Sequence, residues 1–181
     1  MSYLASLPTD TTLLQVFRSY PATAHPLLEF HELLMRGDSP FTPGERELIA
    51  AYVSGVNACA YCHGVHSVTA EAFGLEPGVL TAALADLDSA PVDAKLKPVL
   101  AYVGKLTRSP STMEESDADA VFAAGWGERA LHDAVLVCAL FNFMNRMVEG
   151  LGIRADTAYA EVSGKRLQEG GYAGLATLLA G

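Results

Sequence analysis

The chain has 181 residues, of which 50% are hydrophobic and 18% are charged, a composition that predicts one folded domain over residues 1–181. Lysine and arginine total 12 against 21 aspartates and glutamates, so the formal net charge is −9. A surface this poor in cations repels phosphate groups, which argues against a nucleic-acid-binding protein and against a protein bound to anionic membranes.

Helical patterns separated by glycine and proline follow one another along the whole chain, and no segment alternates with the period of a strand. The clearest helix start is Thr42-Pro-Gly-Glu45, which combines an N-cap hydroxyl, a proline at the first helical position and the glutamate of a capping box. Asn57 is expected to cap the helix that follows. The predicted helices cover about residues 12–20, 24–36, 43–56, 57–73, 77–87, 96–107, 114–124, 128–149 and 157–168. The sequence therefore predicts an all-α fold, with the helix over 128–149 buried at its centre because Ala134 to Met144 is apolar on nearly every side.

Three cysteines are present, and the setting predicted for them is the reducing cytoplasm. No apolar run approaches the roughly 18 to 20 residues of a membrane span, and no basic residue precedes a short apolar stretch at the N-terminus, as in a secretory signal. In a reducing compartment, a Cys-x-x-Cys pair indicates metal binding or redox activity rather than a permanent disulfide.

The unusual chemistry lies at the start of the fourth predicted helix. At about 100° per residue, Cys59, Cys62 and His66 share one face, with His63 at its edge. Cys59 and Cys62 are close enough for a disulfide, and Cys62 and His66 are neighbours one turn apart. The helix N-terminus stabilises a thiolate at Cys59, while His66 can accept the proton of Cys62. A dithiol beside a proton acceptor is typical of peroxide reduction or disulfide exchange.

Glu47, on the preceding helix, is the one titratable group on a stripe of small residues. If the two helices form a hairpin, Glu47 is placed to act as the base of a Glu–His–thiol relay. The alternative for Glu47 is a solvated charge near a helix start. Two alternatives exist for the cysteines: the Cys-x-x-Cys-His signature of c-type haem attachment, and structural zinc, which would need ligands from a second segment.

The remaining cysteine and the polar residues elsewhere carry weaker signals. Cys138 stands in an apolar run and is interpreted as a small buried hydrophobic residue. His25, His31 and His132 lack partners at useful spacing, which indicates surface or internally satisfied histidines. A polar stripe on the long predicted helix is either a buried polar network, a subunit contact or a polar wall beside the dithiol; it contains Asn142, Asn145, Arg146 and Glu149.

Residues of about 40–74 resemble the signature of the alkyl hydroperoxidase D (AhpD)-like branch of the carboxymuconolactone decarboxylase superfamily. The resemblance is carried by the spacing Glu47-x3-Ala51-x2-Ser54-x2-Asn57-x-Cys59-x-Tyr61-Cys62-x3-His66 and by the opening Phe41-Thr-Pro-Gly-Glu-Arg-Glu47. Further along, Phe141-Asn-Phe-Met-Asn-Arg146 resembles the peroxidase-related subgroup, and the weaker similarity ends near residue 153, before a tail of about 154–181.

The resemblance implies an AhpD-like helical bundle with the Cys-x-x-Cys pair at the start of a central helix, and thiol-dependent reduction of organic hydroperoxides. By position it makes Cys62 the peroxidatic cysteine and Cys59 the resolving one, with His66 and Glu47 as the proton relay. The helix-dipole argument instead favours Cys59 as the more acidic thiol. Electrons are expected from an external dithiol, either a lipoyl group or a thioredoxin-like protein, with no tightly bound cofactor or metal.

The resemblance and the high hydrophobic fraction both predict a homo-oligomer, as a dimer, trimer or hexamer. The sequence departs from the family at Tyr61, where the best-characterised relays have a histidine. A phenol with a pKa near 10 is a poor base, so His63 is a candidate substitute, and Asn142 and Arg146 are further candidate site residues. Two other functions remain: a redox-sensing or disulfide-exchange module, and a decarboxylase of the same superfamily, whose members generally lack the cysteine pair.

Overall fold

The computed structural model describes residues 2–179, which contain nine α-helices and no strand. The all-α prediction is therefore confirmed for this part of the chain. The helices are α1 (Leu13–Ser19), α2 (Pro21–Arg36), α3 (Pro43–Val56), α4 (Ala60–Ala72), α5 (Val79–Ala85), α6 (Leu96–Arg108), α7 (Glu115–Ala123), α8 (Glu128–Gly150) and α9 (Thr157–Thr177), with one 3₁₀ turn at Pro110–Thr112. None of these helices combines the length and the apolar character that a bilayer-spanning segment needs.

Helix ends follow the sequence closely where the capping signal is local. The capping box predicted at Thr42 is complete: its hydroxyl accepts from the Glu45 backbone N–H at 3.2 Å, and the Glu45 carboxylate accepts from the Thr42 N–H at 2.7 Å. Helix α2 begins three residues earlier than predicted, at Pro21, because proline lacks only an N–H that has no intrahelical partner at the first helical position.

The predicted cap at Asn57 is wrong. Asn57 ends α3, and Cys59 occupies the N-cap position of α4 without a side-chain capping bond. The chain turns between the two helices at Ala58, whose φ of 55° is left-handed, a conformation that costs a non-glycine residue roughly 1–2 kcal/mol. The Asn57 side chain contributes to this turn by bonding to α8 instead of to the N-terminus of α4.

The central helix is α3, which corrects the prediction that α8 is central. Every residue from Arg46 to Ser54 is buried, because α2, α4, α5, α6 and α8 all pack around this helix. Helix α8 buries one face and leaves Phe143 52% exposed on the other. The apolar stretch therefore located a buried helix but not the central one, because α3 is buried through contacts with five other helices that its own pattern does not reveal.

The last helix extends further than the sequence predicts. Helix α9 bends at Gly171, which takes φ 60° and ψ −165°, backbone angles that are available almost only to glycine. After the bend, the Glu32 carboxylate of α2 accepts hydrogen bonds from the backbone N–H groups of Tyr172 and Ala173 at 2.7 and 2.9 Å. A carboxylate from another helix thus caps a second helical segment, and α9 as a whole lies across α4 and α2.

Candidate active site

The turn between α3 and α4 is held by an amide network that includes much of the predicted polar stripe. Asn57 donates to the side-chain oxygens of Asn142 at 3.1 Å and Asn145 at 2.9 Å. Asn145 in turn donates to the Ser54 hydroxyl at 3.0 Å, and the Ser54 carbonyl accepts from the Cys59 N–H at 2.9 Å. The structure therefore favours the buried-network interpretation for these asparagines, and the network fixes where α4 begins.

The two thiols of the Cys-x-x-Cys pair are buried, with Cys59 0% and Cys62 3% exposed, and no disulfide joins them. A hydrogen bond from the Cys62 thiol lowers the pKa of Cys59 despite burial and the nearby negative charge of Glu149. The same hydrogen bond, together with burial, raises the pKa of Cys62, although a hydrogen bond from Asn145 opposes this. The two shifts run in opposite directions, so Cys59 is the more acidic sulfur of the pair.

Glu47 is completely buried and is the hub of a charged cluster. Its Oε2 accepts from His66 Nδ1 at 2.6 Å, and its Oε1 accepts from Arg36 Nη2 at 2.7 Å and from the Tyr172 hydroxyl at 3.4 Å. Burial by itself raises the pKa of Glu47, but the charges and hydrogen bonds of His66 and Arg36 outweigh it and hold the pKa below its ordinary value. The solvated-charge alternative for Glu47 is therefore wrong.

The hydrogen bond to Glu47 also orients His66. A carboxylate can only accept, so Nδ1 carries the hydrogen and Nε2 is the ring nitrogen left to exchange a proton. The ring packs edge-on against Phe141, with centroids 4.5 Å apart and planes at 82°. His66 is thus held on two sides, by a buried charge and by an aromatic ring.

A pocket with a cavity volume of about 70 Å³ opens beside this cluster between α1, α2, α4, α8 and α9. Its wall is mostly apolar, and both Cys62 and His66 contribute to it, whereas Cys59 does not. Helix α9 closes one side: at Gly164, a Cβ atom would lie 2.6 Å from the Val68 side chain, so glycine allows α9 to approach α4 closely. Cys62 therefore faces the pocket, whereas Cys59 lies outside it, near Glu149.

The structure places the secondary candidates outside the Glu47–His66 cluster. His63 donates from Nδ1 to the Ala51 carbonyl of α3 at 2.9 Å, and it is not part of the pocket wall. Tyr61 lines the pocket, but its hydroxyl lies 2.9 Å from that of Tyr159 on α9. Burial, reinforced by Tyr159, raises the pKa of Tyr61 well above its ordinary value, so this phenol is no substitute for a relay histidine.

Arg146 is exposed and donates to the Asn142 side-chain oxygen at 2.8 Å, which puts it at the outer end of the amide network. Asn142 also donates to the Thr107 hydroxyl and towards the Cys138 sulfur. Cys138 is buried as predicted, between α6 and α8. Neither Asn142 nor Arg146 lines the pocket of Cys62.

Sequence reasoning missed three residues of the site: Arg36, Tyr172 and His31. Arg36 and Tyr172 contact Glu47, and His31 lies on the pocket wall with Cys62 and His66. Gly37, which follows α2, indicated that Arg36 lies in the last turn of that helix, and Gly170-Gly171 indicated a turn before Tyr172. Neither signal indicates which side chain on another helix will be the partner. These contacts are therefore visible only in the folded structure.

Within residues 2–179, no group of three or more His, Cys, Asp or Glu side chains is arranged to hold a metal ion. The structural-zinc alternative required ligands from a second segment, and the described residues bring none to the cysteine pair.

Comparisons with known proteins match a family model over part of the chain and solved structures over most of it. Residues 21–103 match the model of the carboxymuconolactone decarboxylase family. No curated protein gives a significant match. The resemblance inferred from the signature residues is confirmed, and the match ends before α8 and α9 begin.

Solved structures share the AhpD-like helical fold. An uncharacterized peroxidase-related protein from Silicibacter sp. TM1040 is 26% identical, with a TM-score of 0.76 over 82% of this chain and 78% of that chain. The AhpD core of an uncharacterized peroxidase-related protein from Ralstonia eutropha JMP134 is 23% identical, with a TM-score of 0.75 over 83% and 78%. A protein of unknown function from Agrobacterium tumefaciens is 16% identical, with a TM-score of 0.70 over 81% and 99%.

Proposed function

We propose that this chain, with its carboxymuconolactone decarboxylase family region and AhpD-like fold, is a thiol-dependent peroxidase that reduces organic hydroperoxides. The observation that carries the proposal is the shared pocket: Cys62 and His66 line the same apolar cavity, and a buried carboxylate, Glu47, holds His66 from behind. A nucleophile, a proton carrier and a space for an apolar molecule are thereby combined at one place.

The reaction begins with the Cys62 thiolate attacking the distal oxygen of the hydroperoxide. The O–O bond breaks, the alkoxide takes up a proton and leaves as an alcohol, and Cys62 becomes a sulfenic acid. The Cys59 thiolate then attacks the Cys62 sulfur, the hydroxyl group leaves with a proton as water, and a Cys59–Cys62 disulfide remains. An external dithiol supplies the two electrons that reduce this disulfide to two thiols by exchange.

A proton transfer between the two cysteines explains how the more acidic sulfur and the attacking sulfur can belong to different residues. Cys59 is the more acidic sulfur in the resting arrangement, whereas Cys62 is the sulfur that faces the pocket. Because one hydrogen bond joins them, the proton can pass from Cys62 to Cys59, which leaves the thiolate where the substrate binds. His66 offers a second path in its neutral form, in which Nε2 can take the Cys62 proton and return it to the alkoxide.

Both sulfurs are buried, so we expect a slender dithiol such as a lipoyl arm to reduce the disulfide more readily than a thioredoxin-like protein. The apolar wall of the pocket favours an organic hydroperoxide over hydrogen peroxide. We also expect a cytoplasmic homo-oligomer, because Leu33 and Phe143 are exposed apolar residues of the kind that subunit interfaces cover. Light scattering that returned a monomer would contradict the expected assembly.

The test of the proposal is the oxidation of dihydrolipoamide by cumene hydroperoxide, measured with the wild type and three serine variants. Cys62→Ser should have no turnover. Cys59→Ser should consume one equivalent of peroxide and then stop, with a sulfenic acid on Cys62 that dimedone traps. Cys138→Ser is the matched control and should retain wild-type turnover, because Cys138 lies outside the pocket.

Turnover by Cys62→Ser would overturn the proposal. Oxidation of the wild type to a disulfide without turnover would instead support a redox-sensing or disulfide-exchange module. A decarboxylase activity that survives the loss of both thiols would support the third function.

A further inference from the structure

We infer that His31 is the residue of this pocket that recognises a hydroxyl group, with its Nε2 accepting a hydrogen bond from the O–H of the bound hydroperoxide. The inference deepens the proposed function and rests on it for the identity of the substrate. The recognition itself, of a neutral O–H on an apolar body, rests on the geometry of His31.

His31 is a buried polar side chain directed into the pocket. It belongs to α2, is 3% exposed, and lies on the same wall as Cys62 and His66. Its Nδ1 lies 2.7 Å from the Leu27 carbonyl oxygen. A carbonyl oxygen only accepts, so Nδ1 carries the hydrogen and Nε2 carries the lone pair.

The lone pair has nothing to bind within the protein. Among residues 2–179, the hydrogen bond to Leu27 is the one that the His31 ring makes, and Nε2 is not among the fully enclosed polar atoms that lack a partner, so its lone pair is accessible from the pocket. An occupant of the pocket with an O–H group would satisfy Nε2.

The ring cannot turn away from this position easily. It stacks on Tyr172 with centroids 4.9 Å apart, and it meets the edge of Phe141 at 6.2 Å. Phe141 also packs against His66. The two imidazoles therefore flank one aromatic ring, and Cys62 lies on the same wall.

The charge state of His31 suits an acceptor. Burial lowers the pKa of His31 to about 4, with His66 adding to the effect and the Leu27 carbonyl and Glu47 opposing it. At neutral pH the ring is thus uncharged. A neutral acceptor binds a neutral O–H, and His31 itself gives no attraction to an anion, although Arg166 contributes a positive charge elsewhere on the pocket wall.

The position of His31 beside Cys62 indicates what a hydrogen bond from the hydroperoxide to its Nε2 would do. A hydroperoxide carries its hydrogen on the distal oxygen, which is the atom that the Cys62 thiolate attacks. An acceptor beside Cys62 that holds this hydrogen would orient the distal oxygen towards the sulfur, while the apolar body fills the rest of the pocket. His66 remains free for the proton that the alkoxide needs.

The experiment is a binding measurement that needs no turnover. The reduced full-length protein is titrated with 2-phenyl-2-propanol and with its methyl ether, which has the same body without the O–H group. Dissociation constants come from the shifts of histidine ring signals in NMR spectra. We expect the wild type to bind the alcohol about tenfold more tightly than the ether.

Two variants and one control separate recognition from folding. His31→Met removes the acceptor and should bind alcohol and ether equally, whereas His31→Gln keeps an acceptor on a side chain of similar reach and should retain a preference for the alcohol. His25→Met is the control, because His25 is exposed on the same helix and is not part of this pocket; it should discriminate as the wild type does.

Equal binding of alcohol and ether by the wild type, binding of neither, or an unchanged preference in His31→Met would overturn the inference. Failure of the proposed function has a different result: the wild type would prefer the alcohol but would show no dithiol-dependent turnover of cumene hydroperoxide. Turnover without any preference for the alcohol would leave the peroxidase standing and refute the role of His31.

Discussion

Cys59 and Cys62 are separated by one helical turn, yet they lie in different surroundings. On the pocket side, Cys62 shares an apolar cavity with His66 and His31, behind which the charge of Glu47 is buried. On the turn side, Cys59 occupies the N-cap position of α4, where its backbone N–H donates to the Ser54 carbonyl and the partly exposed carboxylate of Glu149 lies nearby.

The difference shows how one short motif can divide two tasks. The turn side makes one sulfur acidic through a hydrogen bond, and the pocket side makes the other accessible to an apolar molecule. Buried charges belong to the pocket side, so its substitutions should have the larger effects on stability. The turn side is built from neutral hydrogen bonds, and its substitutions should mainly change the ionisation of the thiols.

The largest effect is expected for Glu47→Gln. The change removes the buried negative charge that balances Arg36, and an uncompensated buried charge should lower the free energy of unfolding by about 4 kcal/mol. Dithiol-dependent turnover should fall as well, because His66 loses its anionic partner. Urea denaturation followed by circular dichroism measures the first effect.

Asp117→Asn is the matched control, since Asp117 pairs with the partly exposed Lys105 at 2.7 Å, and solvent screens such a pair so that it contributes little to stability. Equal destabilisation by the two substitutions would mean that the Glu47 cluster has no special role in stability.

His31→Met should change how stability depends on pH. In the folded protein the pKa of His31 is about 4, whereas an unfolded histidine has a pKa of about 6.5. Between these values only the unfolded state binds the proton, so wild-type stability should fall as the pH is lowered from 6.5 to 4, by roughly 3 kcal/mol from this group.

The variant should lack this part of the pH dependence, and His25→Met should retain it. Thermal unfolding at a series of pH values tests the comparison. Parallel curves for the wild type and His31→Met across that range would contradict the assigned burial of a neutral ring.

Gly171→Ala should destabilise the protein by about 2 kcal/mol. The new Cβ would lie 2.7 Å from a Glu32 carboxylate oxygen, at a φ of 60°. Because Tyr172 follows directly and contacts Glu47, turnover should decrease too. Gly170→Ala is the control: a Cβ there meets nothing within 4 Å, and the change should be close to neutral in the same urea titration.

Substitutions of Cys62 should have the smallest effect on stability. They also test most directly how the pKa of Cys59 is set. Cys62→Ser keeps a hydroxyl that can donate to Cys59, and Cys62→Ala removes the donor. The pKa of Cys59 should therefore be higher in the alanine variant, as measured by thiolate absorbance at 240 nm. Cys138 interferes little, because burial raises its pKa. Identical titrations would show that the hydrogen bond between the sulfurs does not control the acidity of Cys59.

Several features of this protein were determined by the sequence alone. The capping box at Thr42, the all-α fold and the shared face of Cys62 and His66 follow from interactions within one or two helical turns, which periodicity and capping signals report directly. Cys59 does not share that face, because it occupies the extended N-cap position before α4. The hairpin that pairs Glu47 with His66 also followed from the sequence, because α3 and α4 are joined by a short turn.

Other features were decided only by the tertiary structure. The partners of Glu47 include Tyr172, 125 residues away, and the pocket wall combines residues from five helices. The central position of α3, the bend of α9 and the exposure of the His31 lone pair to the pocket all depend on how helices pack. A hydrophobic pattern predicts which face of a helix is buried, but it does not predict which distant side chain will contact that face.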